Sequence, residues 1–314
     1  MSEVVAAVLA VAQLLLLVGL APAVNGLIKR AKARLQGRRG PPLLQGYFDL
    51  AKLLRKDAVV SEHSSVISRA TPAVYAGAIA SAALIVPALW APAPLGGWGD
   101  AIAVIGLFAL ARFALALAGL DTGSAFGGMG SSREVALAAL AEPALALALF
   151  AVVWRTGTTD LGTTALWLVE RPYETIAPSQ LLALAAFLIA IIAETGRVPV
   201  DNPDTHLELT MIHEGMLLEY SGRPLGILVW ATQLKQLVLF SLLFALFLPF
   251  GIARTPAELP LAALALVAKL AVMCAMMALI ESSNAKLRIL RVPELLGAAS
   301  TLAVLALIAE VMVG

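Results

Sequence analysis

The chain has 314 residues, 60% of them hydrophobic and 14% charged, with a mean hydropathy of +0.90 and a formal net charge of +1. A soluble domain carries about a quarter charged residues, so this composition excludes a soluble protein; the net charge says nothing of partners, and no nucleic acid is expected among them. The single cysteine, Cys274, lies inside an apolar run, which excludes an internal disulfide and an iron–sulfur site built from this chain alone, because such clusters take several cysteines.

Taken in chain order, apolar runs at 3–24, 72–90, 100–120, 134–154, 178–194, 228–250, 260–281 and 293–313 predict about eight transmembrane helices in a single integral membrane domain, 1–314. A hydrocarbon core of about 30 Å needs about 20 apolar residues per helical span. Backbone groups in lipid must be satisfied within the segment, which selects helices over strands. The first run follows the acidic Glu3, lacks a basic flank and is long enough to span, so it reads as a retained helix and not a cleavable signal.

The loop 25–71 holds Lys29, Arg30, Lys32, Arg34, Arg38, Arg39, Lys52, Arg55, Lys56 and Arg69, and loops on the same side add Arg133, Arg197, Arg223, Lys286, Arg288 and Arg291. The opposite side offers Arg155, Arg171 and Arg254. This asymmetry places the first, third, fifth and seventh loops in the cytoplasm and both termini outside. Within the first loop, PPLLQGYFDLAKLLRKD (41–57) is amphipathic: Leu43, Tyr47, Leu50 and Leu54 share one helical face, Gln45, Asp49, Lys52 and Lys56 the other. Too short to span, it is expected along the cytoplasmic interface, either as a generic surface helix or lining a partner or ligand site.

Arg112, Glu142, Lys235, Lys269, Glu281 and Glu310 fall in or at the ends of apolar runs. A charge at mid-bilayer costs about 2.5–3.5 kcal/mol even on the lenient insertion scale, so it faces a partner or water. Arg112, Glu142 and Lys235 lie deepest and are the functional candidates; Lys269 and Glu310 read as pairing or snorkelling. Pro143, after Glu142, removes a helix hydrogen bond and can open a kink. The glycine-rich GSAFGGMGSS (123–132) follows no strand and has no P-loop lysine, so it reads as a tight turn entering the next span.

The most informative stretch is AETGRVPVDNPDTHLELTMIHEGMLLEYSGRP (193–224), in which Glu194, Asp201, Asp204, Glu208, Glu214 and Glu219 are opposed by Arg197 and Arg223. A helix would place Asp204, Glu208 and Glu219 near one face. Clustered, part-buried carboxylates hold a proton more readily than isolated ones, so the stretch reads either as a proton relay or as a solvated acidic loop docking a basic partner. His213-Glu214 begins like a zinc-protease HExxH, but position 217 is Leu and the second ligand is missing. No GxSxG nucleophile elbow is present. No catalytic residue and no metal ligand set is expected in this chain.

GRRGPPLLQGYFDLAKLLRKD, SSREV, AETGRVPVD and EYSG, in this order, resemble the membrane subunit shared by respiratory complex I (its subunit 1) and membrane-bound group 4 nickel–iron hydrogenases of the formate hydrogenlyase type. The resemblance covers most of the chain and rests on the loops. It implies an eight-helix fold at the junction of a membrane arm with a hydrophilic redox arm. It also implies that Glu134, Glu194, Asp201, Asp204, Glu208 and Glu219 stand on an acidic proton path, and that Arg38, Gly40, Pro41 and the following amphipathic helix meet the catalytic subunit. Gly196 replaces an Asn of the quinone-reducing branch, Pro42 stands where that branch has Asn, and the stretch from Glu208 to Glu219 is about one turn longer. DNPDTHLELTMIHEGMLLEYSG looks like the hydrogenase branch.

The expectation is therefore a redox-inert anchor and proton-coupling subunit of a complex I-like hydrogenase. Its proton path would comprise Glu134, Glu142, Glu194, Asp201, Asp204, Glu208, Glu214, Glu219, Lys235 and Arg112, and its partner interface Arg38, Arg39, Gly40, Pro41, Arg197 and Arg223. Iron–sulfur clusters and the nickel–iron centre would sit on partners: hydrogenase large and small subunits, iron–sulfur subunits and antiporter-like membrane subunits. The rivals are the quinone-site subunit of an NADH:quinone oxidoreductase, the one case that implies a bound quinone, and a free-standing transporter, against which stands the lack of an inverted-repeat signal.

Overall fold

The computed structural model describes residues 3–91, 98–201 and 212–313. Along them run α1 (Glu3–Leu35), α2 (Gln45–Arg55), α3 (Val66–Ile85), α4 (Ala101–Asp121), α5 (Ala125–Trp154), α6 (Leu161–Glu170), α7 (Pro178–Glu194), α8 (His213–Leu217), α9 (Gly222–Phe247), α10 (Leu259–Ser283) and α11 (Val292–Val313). The protein is all-α, and each predicted apolar run falls on a helix. Six of these helices, α1, α4, α5, α9, α10 and α11, are long and apolar enough to cross a membrane. Apolar α7 has 17 residues, and α3 is diluted by Arg69, Thr71 and Pro72. The chain is a multi-pass membrane protein.

Helix α9 is the axis of the bundle: every residue from Leu234 through Phe247 is buried. A helix that is apolar all round belongs in the interior, whereas α1, α10 and α11 turn Leu15, Leu264 and Leu305 outward. Alanines 111, 118, 141, 144 and 148 on α4 and α5 are buried at the helix contacts, because small side chains let membrane helices approach closely. At the end of α4, Asp121 accepts hydrogen bonds from Ser65 N (2.8 Å), Ser65 Oγ (2.6 Å) and Ser68 Oγ (2.6 Å), tying the start of α3 to the end of α4.

Three elements depart from the sequence reading. The glycine-rich segment is not a turn: Gly123, at φ +65, makes the turn, Ser124 caps, and α5 starts at Ala125. Gly127 and Gly130 are then helical contact points, and a Cβ on Gly130 would stand 2.8 Å from the Ile212 carbonyl oxygen. Helix α5 continues through Pro143. In the loop after α5 the chain forms α6, whose N-cap Asp160 accepts from Gly162 and Thr163 N.

The first loop folds back onto α1 through three glycines. A Cβ on Gly26 would meet Leu43 O at 2.8 Å, on Gly40 the Arg30 Cα at 2.8 Å, and on Gly46 the Pro22 carbonyl oxygen at 3.1 Å. This lays α2 beside α1 and α9. Of its predicted apolar face Leu50 is buried, while Leu43 and Leu54 are exposed, as suits a helix whose other side meets an interface.

Candidate functional site

Four helices bring five ionisable side chains together inside the bundle. Helix α4 supplies Arg112, α5 supplies Glu134 and Glu142, the last residue of α7 is Glu194, and α9 supplies Lys235. Glu134 and Glu142 are two turns apart and therefore face the same neighbour. Arg112 forms ion pairs with Glu142 and Glu194 and lies 3.4 Å from Glu134, while Lys235 Nζ reaches Glu194 at 2.8 Å. The Glu194 side chain is fully enclosed, at 0% exposure, and that of Arg112 is 6% exposed, but Glu142 keeps 34%. Both Glu194 oxygens lack an aligned hydrogen bond, as does Arg112 Nε, so the cluster is held by proximity of charge more than by donor geometry. Two cations face three carboxylates. That excess negative charge suits the binding of one proton or one small cation.

A second network lies nearer the basic loops. Gly196, at φ +57, turns the chain after α7 so that Arg197 points back inside. Arg197 pairs with Glu281 and donates to Asn25 Oδ1 (3.1 Å) and Gln236 Oε1 (2.7 Å). Lys32 Nζ lies 3.2 Å from Glu281, and Lys286 Nζ donates to Asp201 at 2.7 Å.

Two cavities and an open groove with shared lining residues lie beside these groups. The first, about 180 Å³, is lined by Asn25, Lys32, Arg197, Glu214, Thr232, Gln236 and Glu281, among others, and two buried atoms of its lining residues, Gln233 Oε1 and Gln236 Nε2, lack partners. Gly196, Asp201 and His213 belong to its wall and to that of a second cavity of about 20 Å³ beside Arg112 and Glu134. A water needs roughly 10–15 Å³ of such space, so the second cavity holds about one. Arg112 and Ala138 are shared in turn with an open groove on the α4–α5 face, where Glu142 emerges.

The structure thus joins Arg112, Glu134, Glu142, Glu194 and Lys235, places Asp201 and Glu214 on the adjoining cavity, and separates Glu219. Asp204 and Glu208 lie outside the described residues. Among the described residues, Ile212 is non-helical (φ −118, ψ −84) and α8 ends at Leu217, before Glu219. Glu219 is exposed, in a different pocket beside Ser68, Arg69 and Tyr220. Its neighbour Tyr220 donates to Ser68 O at 2.8 Å, and burial pushes that phenol up to about 12.

Of the residues expected at a partner interface, Arg38, Arg39 and Arg223 are exposed and Gly40 and Pro41 half-buried. Arg197 is the exception, because its guanidinium is engaged inside the chain. Lys269 and Glu310 do not pair with each other: Lys269 donates to Leu248 O (2.6 Å) over the Phe250 ring, and Glu310 takes Arg155. Sequence reasoning left out Lys32, His213 and Glu281 as site residues. Glu281 carried a signal, being ionisable in an apolar run, but its partner stands 84 residues away. Among the described residues no three His, Cys, Asp or Glu side chains converge as metal ligands would.

A protein-family model described as NADH dehydrogenase matches residues 7–313. Formate hydrogenlyase subunit 4 of Escherichia coli is 37% identical over 94% of this chain and 96% of its own length. Hydrogenase-4 component C of the same organism is 39% identical over 82% and 79%. An NADH-quinone oxidoreductase subunit of Symbiobacterium thermophilum is more distant, 29% identical over 62% and 59%. Among solved structures, a chain of the membrane-bound sulfane sulfur reductase, an archaeal respiratory membrane complex, superposes with a TM-score of 0.81 over 97% of this chain and 99% of that one, at 20% identity, and so shares the fold.

Proposed function

Because the chain belongs to the NADH dehydrogenase family, and within it is more similar to formate hydrogenlyase subunit 4 and hydrogenase-4 component C than to the NADH-quinone oxidoreductase relative, we propose that it is the proton-coupling membrane subunit of a complex I-like hydrogenase. Its basic loops and α2 would dock a hydrophilic redox arm on the cytoplasmic side, with both termini on the other. The nickel–iron centre and iron–sulfur clusters would belong to hydrogenase large and small subunits and iron–sulfur subunits; antiporter-like membrane subunits would receive the ion.

The observation that carries this reading is the five-residue cluster around the fully enclosed Glu194, with one carboxylate more than its cations, reached through cavities that share their walls. An uncompensated charge in the membrane is costly, and the excess carboxylate is the place where the cluster would take up one proton in transit. Uptake proceeds from the first cavity, where Asp201, Glu214 and His213 stand. His213 borders both inner cavities, its Nε2 3.4 Å from Thr232 Oγ1, and an imidazole can accept at one nitrogen while releasing from the other. Arg112, in contact with all three carboxylates, shifts its pairing as one is neutralised, and the proton leaves on the exposed Glu142 side. A change of charge at the docked redox arm, felt by Arg197, Glu281 and Lys32 in the first cavity, sets the direction.

The test uses the assembled complex in inverted membrane vesicles. Glu134→Gln and Glu142→Gln each preserve shape and remove the titrating group. Donor oxidation is expected to continue while ion uptake into the vesicles falls at least tenfold. Undiminished uptake in both variants would remove the coupling role.

A further inference from the structure

At the end of the bundle where the basic residues gather, an open groove runs between α1 and α10. Its walls are Leu27 and Ala31 of α1, Ala275 and Leu279 of α10, and Leu43 of the first loop, with Arg30 and Arg34 of α1 along one side. Residues 27, 30, 31 and 34 share a helical face, as do 275 and 279. The register of the two helices is set by the ion pair of Lys32 with Glu281. Arg30 and Arg34 lie two positions either side of Lys32, hence on the opposite face of α1. While Lys32 points into the bundle, they point into the groove. With a rise of about 1.5 Å per residue, Arg30 stands roughly 4–5 Å and Arg34 roughly 10 Å beyond Leu27 along the axis. An apolar wall therefore gives way to two guanidinium groups over about the depth at which acyl chain gives way to headgroup.

Neither guanidinium makes a hydrogen bond or ion pair among the described residues. Arg30 is half-buried, its stem covered by Gly40, where a Cβ would meet Arg30 Cα at 2.8 Å. Arg34 is exposed, and the planar fork of donors on each guanidinium matches a phosphate in two-point geometry. We propose that this groove is a binding site for an anionic phospholipid, its phosphate between Arg30 and Arg34 and an acyl chain along Leu27, Leu43 and Leu279. Charge complementarity selects the occupant. A soluble acidic segment would leave the apolar half unfilled, and a zwitterionic lipid brings an ammonium group into a region already holding Lys29, Arg38 and Arg39. The site stands independently of the proton path.

The experiment reads lipids retained by the purified complex after detergent washing and incorporation into nanodiscs, by native mass spectrometry, with phosphatidylglycerol and phosphatidylcholine as probes. The parent complex is expected to hold at least one phosphatidylglycerol that inorganic phosphate does not displace. The double variant Arg30→Gln/Arg34→Gln is expected to lower its retention about tenfold. Leu279→Trp, which fills the groove without touching charge, is expected to lower it as well and decides the matter should the double variant not assemble. Equal retention by parent and variants, equal retention of phosphatidylcholine, or displacement by phosphate alone overturns the proposal. So does cross-linking from Leu279→Cys to a partner subunit in the intact complex, since a protein would then occupy the groove.

Discussion

Arg197 shows how one side chain can hold distant parts of the chain together. It follows a glycine in the left-handed region, and it reaches Glu281, Gln236 and Asn25 on three different helices. Removing one partner of a buried charge pair costs up to about 3–5 kcal/mol when the other is left uncompensated; Glu281 would keep Lys32 at 3.2 Å, so the cost here is at the low end or below. Arg197→Met is therefore expected to lower the melting temperature of the detergent-solubilised complex. Adding Glu281→Gln also frees Lys32, yet the double variant should lose less than the two single losses combined; one as unstable as the sum of the singles would show that Arg197 and Glu281 do not interact. Residue chemistry made part of the site legible. Arg112, Glu142 and Lys235 stand out because charge inside apolar runs demands a partner, and Glu134 and Glu194 stood in the motifs of the resemblance. Neither source predicted that all five meet.

At the scale of elements, the hairpin of α1 and α2 depends on close backbone approach. Gly40→Val would drive branched carbons into the Arg30 backbone, and such overpacking costs about 1–3 kcal/mol. The first loop should be displaced, and co-purification of soluble partner subunits is expected to drop severalfold while the chain remains in the membrane; full co-purification would show that this loop does not position the docking surface. Apolar periodicity made α2 legible, since its pattern is local. The start of α5 was not, because glycines that usually break helices are here tolerated by packing: Gly127 and Gly130 sit where only a hydrogen fits against α4 and the α8 segment. Likewise α6 was missed because its ten residues are too few to announce a span.

Across the whole molecule, polar networks fasten both ends of the bundle. At the end opposite the basic loops, Arg155 at the end of α5 pairs with Glu310 of α11 and Glu174, and Ser179 at the start of α7 donates to Glu310 at 2.6 Å. Helix α11 packs along α5 and α7, so Arg155 holds its last turns in place. Arg155→Leu is expected to raise hydrogen exchange in residues 300–312 at least tenfold and leave α9 protected; unchanged exchange would show that apolar packing alone retains α11.

The amino-acid sequence by itself determined that the protein is a bundle of membrane helices with its basic loops at one end. Those properties are local: a run of about 20 apolar residues closes its own hydrogen bonds and matches the bilayer, and lysines and arginines sort by loop. Tertiary structure alone decided which charges meet. Arg112 and Glu194, or Arg197 and Glu281, stand some 80 residues apart, and their pairing follows from helix packing that no local pattern encodes. The same packing decided that Glu219 stands apart, because α8 ends at Leu217 and Glu219 opens into another pocket, and that Arg30 and Arg34 face a groove, because Lys32 is drawn inward by Glu281.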